Sequence, residues 1–531
     1  MSKKRLINSS ISIICILASF IIPRIGIWKF FMFPLIYSDG LHYFNVVYQL
    51  NIGNIPSFDF IGAGYPLFIY LTRLLYDSAN SIIIFQQLLS LASVSFLVYT
   101  FRNKQAYFIA ASLFACVYLM SDYVVKYEIA VFPDSIISNL LLLSSALFYQ
   151  TLTSHKKRNV ILLGLVAVFL ISIRSSSVFM IVIILLSTLY LMYQKKYLKA
   201  KILATSFIGG LLILSSYNFF FSEGNKFNFL TYERLEKKAY RDFMKIDNSS
   251  QEKSYIKKIY KSLPDTSDIW KYYFSWNANE ITTSTINTRG GIYASMINTD
   301  TITICNNGDG GYTQCLQVYN QWKNNISSKK LVEIINNNPK YDDLFVRKKL
   351  RSLYAFHGNI WLNYDQGYYS MVPAAYKTSQ KNINYFTRKQ AQSEKEDAFL
   401  QYAWKEHYKH TDTVGFEKRY ASLINYVPFK IYDVYNEYIA KKLIRTPFTL
   451  ILTLCALCVY LVLFIRKKYT ATHIFLLYTG IILLGSSLTF TLFSNPLPRY
   501  SFNTEFCYYL LSIFFLTDCI RFLYNTYIAK K

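Results

Sequence analysis

Long apolar runs, separated by short charged connections, constrain this chain more than any other feature of its sequence. A helix that crosses a bilayer needs about 20 mostly apolar residues. Nine such runs can be marked along the chain, at 6–22, 81–101, 106–121, 134–152, 177–194, 202–220, 447–465, 472–493 and 506–527. These runs leave too little of the chain for the alternating helices and strands of a soluble fold, so the sequence predicts an all-α membrane protein.

A tenth and shorter apolar run covers 159–173 and ends at Arg174. Lys and Arg collect on the cytoplasmic side of membrane proteins. The basic clusters fall at alternate connections only if this short run is also a span. We therefore predict about ten spans in a multi-pass protein of the inner or plasma membrane, with both termini in the cytoplasm.

The chain is strongly basic, with 57 Lys and Arg against 31 Asp and Glu and a net charge of +26. Such a surplus can indicate binding to nucleic acid. It is also what the positive-inside rule produces in a protein with many spans. Because the basic residues occupy alternate connections, we assign the surplus to membrane topology and expect no nucleic acid partner.

One large hydrophilic segment, 221–446, separates the seventh and eighth spans. It has the length of an ordinary domain, and the alternation of basic connections places it outside the cytoplasm. Stretches such as YERLEKKAYRDFMKI have helical spacing. We predict an N-terminal transmembrane region of about seven spans (1–220) with a structured first outer loop, a mainly helical extracytoplasmic domain (221–446), and a C-terminal transmembrane region of three spans (447–531).

Acidic residues are rare outside that domain, and their positions indicate where acid chemistry belongs. The eight are Asp39, Asp59, Asp77, Asp122, Glu128, Asp134, Glu505 and Asp518. Seven of these eight fall in the predicted outer connections or at their edges. The sequence lacks soluble-enzyme signatures such as a P-loop, G-x-S-x-G and H-E-x-x-H. A catalytic site is therefore expected at the outer face of the membrane.

The first outer connection carries an ordered set of motifs. It reads YSDGLHYF at 37–44 and, after an aromatic-rich stretch, GYPLF at 64–68. The order of Asp39, Tyr43 and the YPLF turn resembles the first outer loop of the GT-C glycosyltransferases, polytopic enzymes that take sugars from polyprenyl-phosphate carriers. The similarity is to the protein O-mannosyltransferase and aminoarabinose transferase branches. The loop departs from many relatives in having Gly40, and not a second acid, after Asp39.

Two further segments carry the same resemblance. YEIAVFPDSIISNLLLLS places Asp134 at the outer end of the fourth span, where the family often has a second Asp. NPLPRYSFNTE places Arg499 and Tyr500 in the last outer loop, matching an Arg-Tyr pair of these enzymes. The resemblance covers 1–220 and 447–527. The inserted segment has no β-trefoil repeat like that of protein mannosyltransferases, so the acceptor is not implied.

The resemblance implies transfer of a sugar from a polyprenyl-phosphate donor to a glycan, lipid or protein acceptor in the cell envelope. The acceptor hydroxyl must lose a proton, and a carboxylate at the membrane edge can take it. Asp39 is the candidate base, and Asp134 is the second catalytic candidate. The phosphate leaving group suits a guanidinium, so Arg499 is its first candidate partner, with Arg174 and Lys126 as alternatives.

The candidate substrate-binding residues lie in the same outer connections, and they are Tyr43, Lys126, Glu128, Arg174, Arg499 and Tyr500. Glu128 and Asp134 could orient the acceptor, hold a divalent metal or pair with Lys126. The sequence specifies no cofactor, and a divalent metal stays an open alternative.

Other interpretations of the same residues stay open. Asp39 could cap an interfacial helix and Asp134 could cap the fourth span, while Arg499 could anchor the chain at the interface. At the level of the whole protein, the alternatives are a transporter or flippase of a lipid-linked glycan and a polymerase or ligase of surface polysaccharide. Transporters usually carry polar groups near mid-membrane, whereas the acids here lie near the outer edge, which favours an enzyme.

Two of the eight cysteines lie in the hydrophilic segment, where Cys305 and Cys315 close the loop CNNGDGGYTQC. The exterior of the cell is oxidising, and a loop rich in Gly and Asn lets the two ends meet. We predict a disulfide between them. Mass spectrometry of unreduced protein is expected to find the two peptides linked, and two thiols that can be alkylated in freshly isolated membranes would contradict the bond.

Overall fold

The protein is described from a computed structural model. The structure describes residues 3–30, 34, 43, 46–47, 50, 62–76, 78, 80–221, 413–493 and 501–528. These residues are helical apart from short connections. The described residues on either side of the inserted segment belong to one compact unit.

Nine α-helices are described before the inserted segment. They are α1 (Lys3–Phe30), α2 (Gly64–Leu75), α3 (Asn80–Thr100), α4 (Gln105–Leu119), α5 (Asp122–Glu128), α6 (Asp134–Thr153), α7 (Lys157–Ile173), α8 (Phe179–Tyr193) and α9 (Tyr197–Phe221). A short 3-10 helix, Ser175–Val178, joins α7 to α8.

Five α-helices and two π-helical segments follow in the described part of the C-terminal region. The α-helices are α10 (Thr413–Ile424), α11 (Val427–Val434), α12 (Pro447–Ile465), α13 (Ala471–Phe493) and α14 (Glu505–Leu523). The π-helical segments are Tyr435–Ile444, which precedes α12, and Tyr524–Ile528, which follows α14.

Eight of these helices are long and apolar enough to cross a membrane, or nine if the bent pair α4 and α5 counts as one span. The protein is therefore a polytopic helical membrane protein, as the apolar runs predict. The run at 159–173, predicted as the tenth span, forms α7, a helix of 17 residues. That length is at the lower end of what a spanning helix needs.

Two helices differ from the predicted runs. Helix α1 continues past Pro23 to Phe30, eight residues beyond the predicted end at 22, because its last turns pack against α10 and α11. The third predicted span ends at Leu119, and the chain then turns by 59° into α5. All seven residues of α5 are buried.

The predicted extracytoplasmic domain is described only in part. Residue 221 closes α9, and 413–446 form α10, α11, the first π-helical segment and the two residues before α12. This part is helical, as predicted. Residues 222–412, and with them Cys305 and Cys315, lie outside the described residues, so their disulfide stays a prediction. The six cysteines that the structure describes are free.

The core of the bundle is built from both ends of the chain. Helix α6 is the most deeply buried of the candidate spans, and it packs against α3, α7 and α13. Helix α14 packs against α4 and α12. The N-terminal and C-terminal transmembrane regions therefore share one hydrophobic core.

Four acids lie at one end of the bundle, where the helix ends at Leu119, Asp134, Ile173 and Glu505 meet. Basic connections lie at the other end, where Lys199 Nζ donates to the carbonyl of Ser154 at 2.6 Å and Lys104 Nζ to Thr472 Oγ1 at 3.1 Å. Asp518 lies at this end too, and it accepts a hydrogen bond from the hydroxyl of Tyr107 at 2.6 Å. The orientation of the two ends stays a prediction from the positive-inside rule.

The same rule predicts which end faces outward. Reporter fusions at Asn248 and Asn325 are expected to behave as exported, and fusions after Lys157 or Lys467 as cytoplasmic, because the basic connections stay in the cytoplasm. Paired alkaline phosphatase and fluorescent protein fusions measure both states at each position. A cytoplasmic Asn325 would reverse the assignment of faces.

Candidate functional site

Eight charged side chains meet at the end of the bundle that carries the acids. Four are acidic and four are basic: Arg24, Asp122, Lys126, Glu128, Asp134, Arg174, Arg445 and Glu505. All except Arg174 are buried, and the side chain of Arg174 is 16% exposed. Their formal charges cancel. We call these eight residues the charged cluster.

Arg24 and Glu128 form a two-pronged ion pair with no exposed surface on either side chain. Arg24 Nε and Nη2 donate to Glu128 Oε2 and Oε1 at 2.8 and 2.9 Å. Arg24 Nη1 also donates to the carbonyls of Phe20 and Leu119, at 2.9 and 3.0 Å. Because Leu119 is the last residue of α4, this one guanidinium joins α1 to both sides of the bend between α4 and α5.

Arg445 is the centre of a second network, just before α12. Its Nη1 lies 2.7 Å from Asp122 Oδ1, and its Nη2 and Nε each lie 2.8 Å from Glu505 Oε1. Ser121 Oγ donates to Glu505 Oε2 at 3.0 Å, and the hydroxyl of Tyr509 donates to Oε1. Both oxygens of Glu505 are therefore engaged by donors within the described structure.

Aromatic rings surround the cations of this network. The Arg445 guanidinium carbon lies 4.1 Å from the centre of the Tyr123 ring, and Phe502 stacks on the same tyrosine. Lys126 Nζ lies 5.2 and 5.3 Å from the ring centres of Tyr123 and Tyr127. Distances of this kind are favourable for cation–π attraction, which is strongest where water is excluded.

Asp134 is the first residue of α6 and is held from one side. Its Oδ1 accepts a hydrogen bond from Arg174 Nη1 at 2.7 Å, and Arg174 comes directly after α7. Its Oδ2 is buried and has no hydrogen-bond partner in the described structure. One oxygen is thus fixed by a counter-ion while the other is left available for a proton or a hydroxyl.

The first outer loop meets the cluster through two tyrosines. The rings of Tyr43 and Tyr65 are in edge-to-face contact with centres 4.7 Å apart. Tyr65, in α2, is fully buried, and this burial, with the nearby Tyr43 and Asp134, raises the pKa of its hydroxyl well above the ordinary value. The hydroxyl therefore stays protonated and is a neutral neighbour of Asp134.

A small pocket opens beside the charged cluster, between α4, α5 and the starts of α6 and α14. Its polar lining includes Tyr118, Asp134, Ser135, Asn503 and Glu505. Asn503 is buried, and neither its Oδ1 nor its Nδ2 has a hydrogen-bond partner in the described structure. Asp134 Oδ2 and the amide of Asn503 are thus two unsatisfied polar groups on the wall of one pocket.

The structure brings together four of the predicted site residues and the ring of Tyr43. Lys126, Glu128, Asp134 and Arg174 all belong to the charged cluster. Glu128 pairs with Arg24 and Asp134 with Arg174, and the suggested pairing of either acid with Lys126 stays a prediction. Asp39, Arg499 and Tyr500 lie outside the described residues, so their roles stay predictions.

Sequence reasoning assigned no role to five residues of the site: Arg24, Asp122, Arg445, Asn503 and Glu505. Asp122 and Glu505 were counted only among the acids near the outer connections. Arg24 interrupts an apolar run directly after Pro23, and an arginine within such a run is a signal for a functional or structural pair. Arg445 lies two residues before Pro447, which starts a span. This position in the sequence fits an arginine that anchors the chain at the membrane interface equally well. Asn503 gave no signal, since an uncharged amide in an outer loop is common.

The described residues contain no group of three or more His, Cys, Asp or Glu side chains arranged to hold a metal ion. The carboxylates of the cluster are directed instead toward arginines. Comparisons with protein-family models, with curated proteins and with solved structures found no match to this chain.

The Arg24–Glu128 pair is expected to be needed for stability. Arg24→Met leaves a buried carboxylate without its cation, which costs about 3–5 kcal/mol for a pair of this kind. The double variant Arg24→Met with Glu128→Leu removes both charges and is expected to recover most of that loss. Unfolding of the purified protein in detergent, by temperature or denaturant, measures both free energies of unfolding.

Arg466→Met is the matched control for that experiment. Arg466 is an exposed arginine directly after α12, so its replacement is expected to change the free energy of unfolding by less than about 0.5 kcal/mol. A loss in Arg24→Met no larger than in this control would contradict the structural role of the pair.

Proposed function

We propose that the protein is a membrane glycosyltransferase that moves a sugar from a polyprenyl-phosphate donor to an acceptor on the extracytoplasmic side. One observation carries the proposal: Asp134 is buried among balanced charges, held through Oδ1 by Arg174, lines a small pocket, and has an Oδ2 without a partner in the described structure. Clusters of buried charge of this kind are typical of functional sites. The motif resemblance of the outer loops supports the same activity.

The reaction needs one proton acceptor and one anion-binding group. The acceptor hydroxyl oxygen bonds to the anomeric carbon as the bond from that carbon to the phosphate oxygen breaks. The hydroxyl proton passes to a carboxylate, and the bonding electrons leave with the polyprenyl phosphate. Asp39 is our candidate base, Asp134 the carboxylate that positions the sugar or the acceptor, and Arg499 the group that binds the leaving phosphate.

The charged cluster supports Asp134 over Glu505 as the functional carboxylate of the pocket. Glu505 accepts hydrogen bonds from Arg445, Ser121 and Tyr509, so both of its oxygens are occupied. Asp134 keeps Oδ2 available. Arg174, an alternative partner for the phosphate, is already engaged with Asp134, which favours Arg499 for that role.

The placement of the charges favours an enzyme over a carrier. Within the described spans, the acids of the cluster lie at or near helix ends: Asp134 and Glu505 begin their helices, and Asp122 begins α5 after the bend that ends α4. Transporters more often place such groups at broken helices near the centre of the bilayer. The proposal therefore ranks transfer above transport of the same lipid-linked glycan.

A transfer assay tests the proposal directly. Purified protein in lipid nanodiscs is incubated with a panel of radiolabelled polyprenyl-phosphate hexoses and pentoses. We expect release of label from the lipid, to water or to an acceptor, for at least one sugar. Binding of these lipids without turnover would favour a carrier. The absence of both binding and turnover would contradict the proposal.

The sharpest test of mechanism is Asp39→Asn. If Asp39 is the base, this change removes the proton acceptor but keeps shape, so turnover is expected to fall by about 10² to 10⁴ while donor binding survives. If Asp39 only caps a helix, Asn is an equally good cap and the change is nearly silent. Rates and donor affinities are measured at matched membrane levels.

Asp59→Asn is the control, since Asp59 is an acid of the same outer loop with no assigned role. It is expected to keep the wild-type rate. Normal turnover by a well-expressed Asp39→Asn protein would exclude Asp39 as the base.

A further inference from the structure

An exposed apolar stripe lies outside the candidate spans, on α11 and the π-helical segment that continues it. Its members are Val427, Ile431, Val434 and Tyr438, which are 66%, 52%, 56% and 62% exposed. They recur every three or four residues, so they share one face of the helical segment. We call these four residues the apolar stripe. Contiguous apolar surface of this kind marks a site of contact with a protein or a membrane.

The opposite face of the same segment is buried against the bundle. Phe429 and Tyr432 belong to one hydrophobic cluster with Ile27 of α1 and Tyr123 of α5. Ala440, two turns further along, is 4% exposed. The fold therefore covers one apolar face of the segment and leaves the other exposed. A helix that is apolar on two faces needs a second apolar environment.

The contacts with α1 indicate how deep the segment lies. Gly26 is four residues before the end of the candidate span Ser9–Phe30. A Cβ atom at Gly26 would lie 2.6 Å from Leu423 Cδ1 and 3.8 Å from a ring carbon of Phe429, so α10 and α11 pack directly on this turn of α1. Because this turn is part of a span, α11 lies at the level of the membrane boundary and not beyond it.

The chain also passes from the stripe into a surface that faces lipid. Helix α12 begins at Pro447, three residues after the π-helical segment ends at Ile444. The side chains of Phe448 and Ile451 in α12 are 58% and 55% exposed. Exposed apolar side chains of a spanning helix face the acyl chains of the bilayer. The stripe therefore lies next to a stretch of chain that is already in contact with lipid.

Basic and aromatic side chains border the stripe. Lys430 and Lys442 are exposed, and Lys442 Nζ lies 4.7 Å from the centre of the Tyr438 ring. Glu437, an exposed acid of this segment, forms an ion pair with Lys441. Lysines beside an apolar face extend their charge toward water and lipid phosphates while their methylene groups cover apolar surface, and tyrosine is enriched at membrane interfaces. A phospholipid leaflet fits both the stripe and its borders.

We propose that residues 427–444 form an amphipathic segment that lies in the membrane interface, with the apolar stripe immersed in the phospholipid leaflet at the end of the bundle that carries the charged cluster. This part of the predicted extracytoplasmic domain is then bound to the membrane surface and does not belong to a soluble domain. The inference does not depend on sugar transfer, because it rests only on the packing and composition of this segment.

Photo-crosslinking identifies what contacts the stripe. A benzophenone amino acid replaces Ile431 in one full-length variant and Tyr438 in another, where it exchanges one aromatic ring for a larger aromatic group. Both positions are exposed, so both variants are expected to fold. Intact membranes are irradiated, so that lipids and any protein partner are present. Mass spectrometry of the purified protein then identifies the adducts.

Two further positions calibrate the yields. Ile451 in α12 is the control for contact with lipid, and His155, exposed in the polar connection between α6 and α7, is the control for contact with water. At Ile431 and Tyr438 we expect a mass increase of one phospholipid. Its yield is expected to be within about twofold of that at Ile451 and roughly tenfold above that at His155, because an interfacial helix buries its apolar face beside the acyl chains.

Three results would overturn the inference. Adducts with a peptide from 222–412 would show that the inserted segment covers the stripe, and adducts with another polypeptide would show that a protein partner does. Phospholipid yields as low as at His155 would show that the stripe faces water. Loss of the proposed transferase activity in the assay above would leave the lipid adducts unchanged, so the two hypotheses fail separately.

Discussion

Neutralisation of charge in a region shielded from water is the constraint on which the rest of this structure depends. An unpaired ion buried in a medium of low dielectric costs several kcal/mol, and a pair repays that cost only with good geometry and further hydrogen bonds. The eight charges of the cluster cancel. Their partners lie far apart in sequence, since Arg24 and Glu128 are separated by 104 residues and Arg445 and Ser121 by 324. Satisfying the charges therefore joins the first and last transmembrane regions.

The surroundings of each carboxylate assign it a different task. Glu505 receives several donors and is held in place by Arg445, Ser121 and Tyr509, so it stabilises the junction between the end of the inserted segment and α14. Asp134 has one fixed oxygen and one available oxygen. The two acids line the same pocket, and of the two only Asp134 has a carboxylate oxygen without a hydrogen-bond partner in the described structure.

The helical fold could be predicted from the sequence because long apolar runs and basic connections are properties of the chain itself. For the site, the sequence predicted only a group of acids near one face of the membrane, such as Glu128 and Asp134. This was possible because the type of a residue and its distance from a span are read directly from the local sequence. The arginines that pair with these acids could not all be predicted. Arg24 and Arg445 belong to distant segments, and their pairing with acids depends on how α1, α4 and α14 pack. The helix α5 that follows the bend after Leu119 was also not predicted, since the apolar run through "VYLM" gives no signal for a second short helix.

The balance of the cluster also limits what it can do in the proposed reaction. In that reaction, departure of a polyprenyl phosphate would create negative charge, which a cation or donors that become available in the transition state must meet. Arg24, Arg174 and Arg445 are each matched by a carboxylate in the described structure. Moving one of them to the phosphate would leave a buried acid uncompensated. For the proposed reaction, these pairings disfavour the three arginines as partners of the phosphate, and Arg499 stays the first candidate, with Lys126 as an alternative.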